Sequence, residues 1–289
     1  MIETIAAWSA DLFFITASVL SVLSLQRGGR PPFVVGWSFL LAGGVAQLIF
    51  MIAATVRLGA FPIITPWMGA SFLSFLITLF AVIVWVKHRE PAFLAGAAPV
   101  AAFFAIVSAT QRVSPADIAV YADRLSHLRP DIPDAGQMIL QSVWFPAHVT
   151  LALSAYALFA LAATMGILQL ALHRTLKQKK DVSRIRYLPP LPVVERIGTN
   201  IVLIGILCLF AGLLIGMLGA RMVLESAFLG QPKELAGLVI LLMYGGIEVA
   251  RVVRKWPGRR SAVAHVVAFG LLVLIFLSSS ALAPKLHGF

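Results

Sequence analysis

Cysteine is almost absent: Cys208 is the single thiol in 289 residues, and it lies inside an apolar run. One thiol builds no disulfide framework. Without a CxxC or CxxCH motif, the chain can neither act as a dithiol reductant nor carry a covalently attached c-type haem. A packing role is the expectation for Cys208. Charge is scarce as well, at 12% of residues against 60% apolar, with a mean hydropathy of +0.94. A soluble core of this length needs far more polar surface, so lipid must serve as part of the solvent. Acid is the scarcer sign, with 12 Asp and Glu against 23 Lys and Arg. The resulting charge of +11 does not indicate nucleic acid, because the basic residues sit in short loops without aromatic interleaving. The sequence shows neither an internal repeat nor a low-complexity tract. The front end, "MIETIAAWSAD", carries acid rather than lysine, and no small-residue cleavage site follows the first apolar run. That run is read as a membrane helix, not a removable signal.

What abounds is apolar sequence in membrane-length blocks. Crossing roughly 30 Å of hydrocarbon takes about 20 residues. Eight runs qualify, at about 4–25, 33–56, 70–87, 91–110, 143–171, 198–220, 235–252 and 263–283. Each must be helical, because lipid offers the backbone no hydrogen-bond partner. The expected fold class is an all-α integral membrane protein, a bundle of about eight transmembrane helices in one polytopic domain, 1–289. A five-helix front (about 1–172) and a three-helix back (198–289) flank a basic connector, 173–197, in which Pro189-Pro190 imposes extended chain. Sixteen of the 23 basic residues fall in the turns after the first, third, fifth and seventh runs. Basic loops stay in the cytoplasm, so both termini should be extracytoplasmic, in a bacterial inner membrane. Two outer segments are more than turns. In 111–142, Ser114-Pro115-Ala116-Asp117 reads as the start of a short amphipathic helix that "RPDIPDAG" ends. The link 221–234 is partly apolar although it faces water.

Within the runs, Gly212 and Gly216 have the GxxxG spacing that lets helices approach closely, a packing signal. A carboxylate near the bilayer centre costs about 2.5–3.5 kcal/mol on insertion scales, so Asp11 and Glu248 should each face a partner or a cavity. Glu248 lies one turn before Arg251, and an ion pair is expected there; no basic residue lies within a turn of Asp11, which is a candidate for a functional role. Of the six histidines, His88, His127 and His173 read as surface residues, and His265 as a capping or interfacial residue at the inner edge of the last run. His148, at the outer mouth of the fifth run, and His287, just past the last, fall at one membrane face. Two imidazoles at one level could ligate haem iron from opposite sides; ordinary helix-edge histidines are the alternative.

A set of stretches in fixed order resembles the cytochrome c assembly family, which contains the CcsA/ResC-type synthesis proteins and the HemX-like proteins. "RLGAFPIITPWMGASFLSF" is similar to the family's Gly-x-Phe-Pro entry into a helix. "LQSVWFPAHVTLALSAYALFALAATMGILQLAL" resembles its Leu-Gln-Ser, Trp, His-Val and Tyr-Ala pattern. "LPPLPVVERI", "FAGLLIGML", "QPKELAGLVILLMYGGIEVARVV", "GRRSAVAHVVAFGLLVLIF" and "LHGF" continue the likeness from about residue 57 to the C-terminus. The resemblance implies that His148 and His287 are outward-facing axial ligands of a non-covalent haem b. Arg221 and Lys233, on the same face, could then meet its propionates.

The chain departs from the family in two places. "ESAFLGQPKE" keeps Pro232, Lys233 and Glu234 of a tryptophan-rich motif but has no tryptophan, which leaves Phe228 and Leu229 as the only large apolar groups there. The membrane-embedded histidine that the family carries near the end of its seventh helix falls at about Val249. The expected function is haem handling or presentation at the outer face in c-type cytochrome biogenesis, with no catalytic residues of its own. Membrane lipid, a membrane partner subunit or apocytochrome c are the expected partners. One alternative is a HemX-like regulator of haem biosynthesis that contacts a soluble cytoplasmic partner through 173–196. A small-molecule permease is the alternative from another class; it lacks the support of an inverted repeat or an interrupted helix pair.

Overall fold

Proline marks where helices start. Pro31, Pro66, Pro146, Pro192 and Pro232 each lie within the first three residues of a helix. The missing N–H costs nothing there, because first-turn donors have no intrahelical acceptor. The computed structural model describes residues 2–27, 30–58, 61, 63, 66–88, 93–109, 138, 140–177, 189–224, 232–256 and 258–286. These form eight long helices: α1 Ile2–Arg27, α2 Arg30–Leu58, α3 Pro66–His88, α4 Phe93–Ala109, α5 Trp144–Lys177, α6 Leu191–Leu224, α7 Pro232–Val253 and α8 Gly258–Leu286. Seven are long and apolar enough to cross a membrane, and the chain is a multi-pass membrane protein with no strand among the described residues. The exception is α4, whose 17 residues contain Pro99. The amphipathic helix expected near 114–124 and the link at 225–231 lie outside the described residues. The connector expected at 173–197 is helical at both ends, because α5 runs on to Lys177 and α6 starts at Leu191. The carbonyl of Pro190 accepts from the N–H groups of Val193 and Val194, which closes the first turn of α6 at 2.9 and 3.2 Å.

The first three helices run antiparallel, each to the next. Glu3 at the start of α1 pairs with Arg57 near the end of α2 at 2.9 Å. Gln47 of α2 donates to Ser71 of α3, while Trp37 stacks on Trp85 further down the same pair, centroids 5.0 Å apart. At the centre lies α5, buried almost continuously from Leu153 to Gly166 and packed on α3, α4, α6 and α8. Its alanines (155, 157, 160, 162 and 163) are what permits this. In lipid there is no hydrophobic drive between helices, so association rests on close van der Waals approach, which small residues allow.

The most extensive interface among the described helices, α5 on α6, has a period of seven. A Cβ placed on Gly198, Gly205, Gly212 or Gly219 would meet Met165, Leu158, Leu151 or Trp144, at 3.4, 3.4, 3.2 and 2.5 Å. Both series repeat every seven residues and run in opposite directions. A strict seven-residue repeat is the seam of a left-handed pair of helices. Away from this seam α6 turns Leu203, Ile204, Leu207, Phe210 and Leu214 outward, the apolar face a membrane helix presents to lipid. Cys208 is half-buried beside the core, as its packing role requires.

Candidate functional site

Between the last two pairs of the seam stands a histidine. His148 stands in the second turn of α5, and its Nδ1 lies 2.7 Å from the carbonyl oxygen of Gly212 on α6. A carbonyl only accepts, so Nδ1 carries the proton and donates it. The lone pair of the neutral ring is therefore on Nε2. Gly216 makes room for the ring: a Cβ there would lie 2.5 Å from Nδ1, 2.9 Å from Cε1 and 3.1 Å from Cγ. Gly219, less than a turn further, does the same for Trp144, whose Cβ would be 2.5 Å away. The GxxxG pair thus packs helices, as its spacing suggests, and it also seats an imidazole.

A neutral imidazole that donates one N–H to a backbone carbonyl has the bonding pattern of metal-ligating histidines. Among the described residues no three His, Cys, Asp or Glu side chains gather into a metal cage. An imidazole protonated on Nδ1 and unprotonated on Nε2 is the form in which histidine ligates haem iron, so the chemistry of His148 is compatible with that group. His287, the expected second ligand, lies outside the described residues, as does His127. Arg221 is exposed in the last turn of α6, at the end of the bundle that holds His148. Lys233 lies in the first turn of α7, which starts at that same end.

The opposite end holds a second polar constellation that the sequence disclosed only in part. Glu248 on α7 is 6% exposed; Arg251 reaches its Oε2 at 2.8 Å, the ion pair expected from their spacing. Its Oε1 accepts from Nε2 of His265 on α8 at 3.1 Å. His265 is 7% exposed, so it is a buried partner of Glu248 and not the interfacial cap expected of it. Each carboxylate oxygen has its own donor, which is the condition for keeping such a charge inside a bundle. One turn before Glu248, Tyr244 lies parallel to Phe159 with centroids 3.7 Å apart, and parallel to His265 at 6.2 Å. The Tyr244 hydroxyl is buried and has no hydrogen-bond partner among the described residues. Val249, where the resemblance would place a membrane-embedded histidine, is 61% exposed and points away from the cluster. His88 and His173 are half-buried at the ends of α3 and α5, and Asp11 is half-buried in α1.

Protein HemX of Brevibacillus brevis is 25% identical over 93% of this chain and 94% of its own length. Cytochrome c biogenesis protein CcsA of Guillardia theta is 21% identical over 89% of this chain and 86% of its own. The protein of that name from Synechococcus sp. (strain CC9902) is 23% identical over 99% and 96%. No solved structure is significantly similar. The family model described as cytochrome C assembly protein matches residues 66–287, from the first residue of α3 to beyond the end of α8, and this chain belongs to that family.

Proposed function

We propose that this chain holds haem at the extracytoplasmic end of its helix bundle during c-type cytochrome biogenesis, with His148 as one axial ligand and His287 as the other. The observation that carries the reading is the Nδ1–H bond from His148 to Gly212, which leaves the lone pair of the neutral ring on Nε2. Family membership supports it. The excess of basic residues at the Glu248 end supports a cytoplasmic location for that end, with His148 and both termini on the outer side of a bacterial inner membrane in this reading. Arg221 and Lys233, at the His148 end, supply cations for the propionates. The haem would be a non-covalent haem b, since no CxxCH is present, and when bound it would supply the iron porphyrin that an apocytochrome c or a membrane partner subunit accepts. The optical spectrum of the purified protein tests this. Low-spin bis-imidazole bands are expected, weakened in His148→Ala and in His287→Ala and partly restored by added imidazole. Identical spectra from both variants and the unmodified chain would refute the ligand pair.

The match to protein HemX over nearly its full length favours a second reading, a membrane regulator of haem biosynthesis. The basic stretch 173–196 would then contact a soluble cytoplasmic partner. Deleting the chain would change the total haem pool at unchanged levels of c-type cytochrome, whereas a haem handler would change the cytochromes first.

A further inference from the structure

We infer that Gly216 and the main-chain carbonyl of Gly212 are positioning residues: together they hold His148 in its Nδ1–H form, with its ring flat against α6. The inference rests on the reading of His148 as a ligand and adds what prepares it. A free neutral imidazole can carry its proton on either nitrogen, and only one of the two forms leaves the lone pair on Nε2. Here the choice is made by the neighbouring helix. The Gly212 oxygen, 2.7 Å from Nδ1, takes the proton's hydrogen bond. The ring can reach that oxygen because position 216 has no Cβ; one there would overlap Nδ1 at 2.5 Å and Cε1 at 2.9 Å. The two backbones are already at close approach on either side: a Cβ added at Gly219 would fall 2.5 Å from Trp144 Cβ, and one added at Gly212 would fall 3.2 Å from Leu151 Cβ and from the Ala152 nitrogen. The imidazole turns about its own side-chain bonds, so the ring yields before the packed backbone does. In a Gly216→Ala variant it swings away from the carbonyl and loses both its proton preference and its orientation.

Two measurements on the full chain in detergent test this. The first needs no haem: nitrogen NMR of protein labelled in histidine, with the His148 signals identified by their loss in His148→Gln. The unmodified chain should show a protonated Nδ1 and an unprotonated Nε2, and Gly216→Ala should lose that pattern. Gly245→Ala, with nothing within 4 Å of the added methyl, is the control and should keep it. A wild-type His148 protonated on Nε2 overturns the inference without recourse to any variant. The second is hemin titration followed optically. Partners that orient a metal-bound histidine are worth about 10–100-fold in affinity, so Gly216→Ala should weaken hemin binding by that factor. Loss of hemin binding in His148→Ala alongside unchanged NMR and unchanged affinity in Gly216→Ala would sink the positioning role while sparing the ligand. Equal hemin binding by the unmodified chain and His148→Ala would sink the ligand reading instead, and the NMR result alone would then decide whether the seat exists.

Discussion

A carboxylate buried in a membrane bundle raises its own question at the scale of the residue, because insertion alone disfavours it by about 2.5–3.5 kcal/mol. Glu248 meets that cost with two donors from two directions, Arg251 and His265. Breaking a buried pair leaves an uncompensated group and costs about 3–5 kcal/mol. The Arg251 side chain is 23% exposed and can turn outward, so Glu248→Ala should fall at the low end of that range, about 3 kcal/mol. It would be read as a lower Tm in detergent; an unchanged Tm would show that the cluster carries no structural load. Tyr244 predicts the opposite sign. Its buried hydroxyl has no partner among the described residues, so Tyr244→Phe keeps the stack on Phe159 and removes a desolvation cost of about 1–3 kcal/mol. Tm should rise, and a fall would mean that the hydroxyl is bonded. The two halves of this cluster differed in how far sequence could see them. Glu248 and Arg251 are three apart on one helix, which local spacing discloses. His265 is seventeen positions from Glu248 across a turn, and only the packing of α7 on α8 brings them together.

Glycine decides most at the scale of the helix, and its sign depends on what stands opposite. Replacing a helical glycine by alanine gains up to about 1 kcal/mol of intrinsic propensity. At Gly245 and Gly246 nothing lies within 4 Å, so both Ala variants should raise Tm slightly. At Gly166 a Cβ would come 2.9 Å from the main-chain oxygen of Ala262 on α8, an atom that cannot rotate aside. Overpacking of this kind costs about 1–3 kcal/mol and outweighs the gain, so Gly166→Ala should lower Tm. Equal behaviour at the three positions would contradict the close approach of α5 to α8. The helices themselves were legible because lipid permits a long apolar run little else. Their starts were less so: apolar runs report the length in hydrocarbon, whereas α2, α3, α6 and α7 begin earlier, at or near a proline. The seven-residue glycine repeat on α6 is written in the sequence, yet its meaning is not. What it seats depends on the register against Trp144, Leu151, Leu158 and Met165, and register belongs to the pair of helices. For the same reason His148 could be nominated from its place at a helix mouth, while its seat on Gly212 and Gly216 could not.

At the scale of the whole molecule, orientation and function stand or fall together. The basic excess at the Glu248 end predicts that reporter fusions at Asp123 and after Phe289 report an extracytoplasmic location, and one near Lys179 a cytoplasmic one. A cytoplasmic signal after Phe289 would separate His287 from His148 and end the ligand-pair reading. The last prediction concerns what this member of the family lacks. Large aromatic surfaces dominate contacts with a flat apolar ring, and the stretch before Pro232 reads "ESAFLGQ", with one phenylalanine and no tryptophan. Axial ligation by two histidines fixes the centre of a porphyrin but shields little of its face. Haem affinity should therefore fall short of what a tryptophan-rich loop would give, even with the Nδ1–H of His148 bonded to Gly212 on α6. It follows that this chain alone should fail to restore cytochrome c maturation in cells that lack a tryptophan-bearing synthesis protein. The assay is covalent haem staining of cytochrome c, with expression of the chain confirmed by immunoblot. Restored staining by the unmodified chain would show that the tryptophans are dispensable on this scaffold and that the histidines and cations at the outer end suffice.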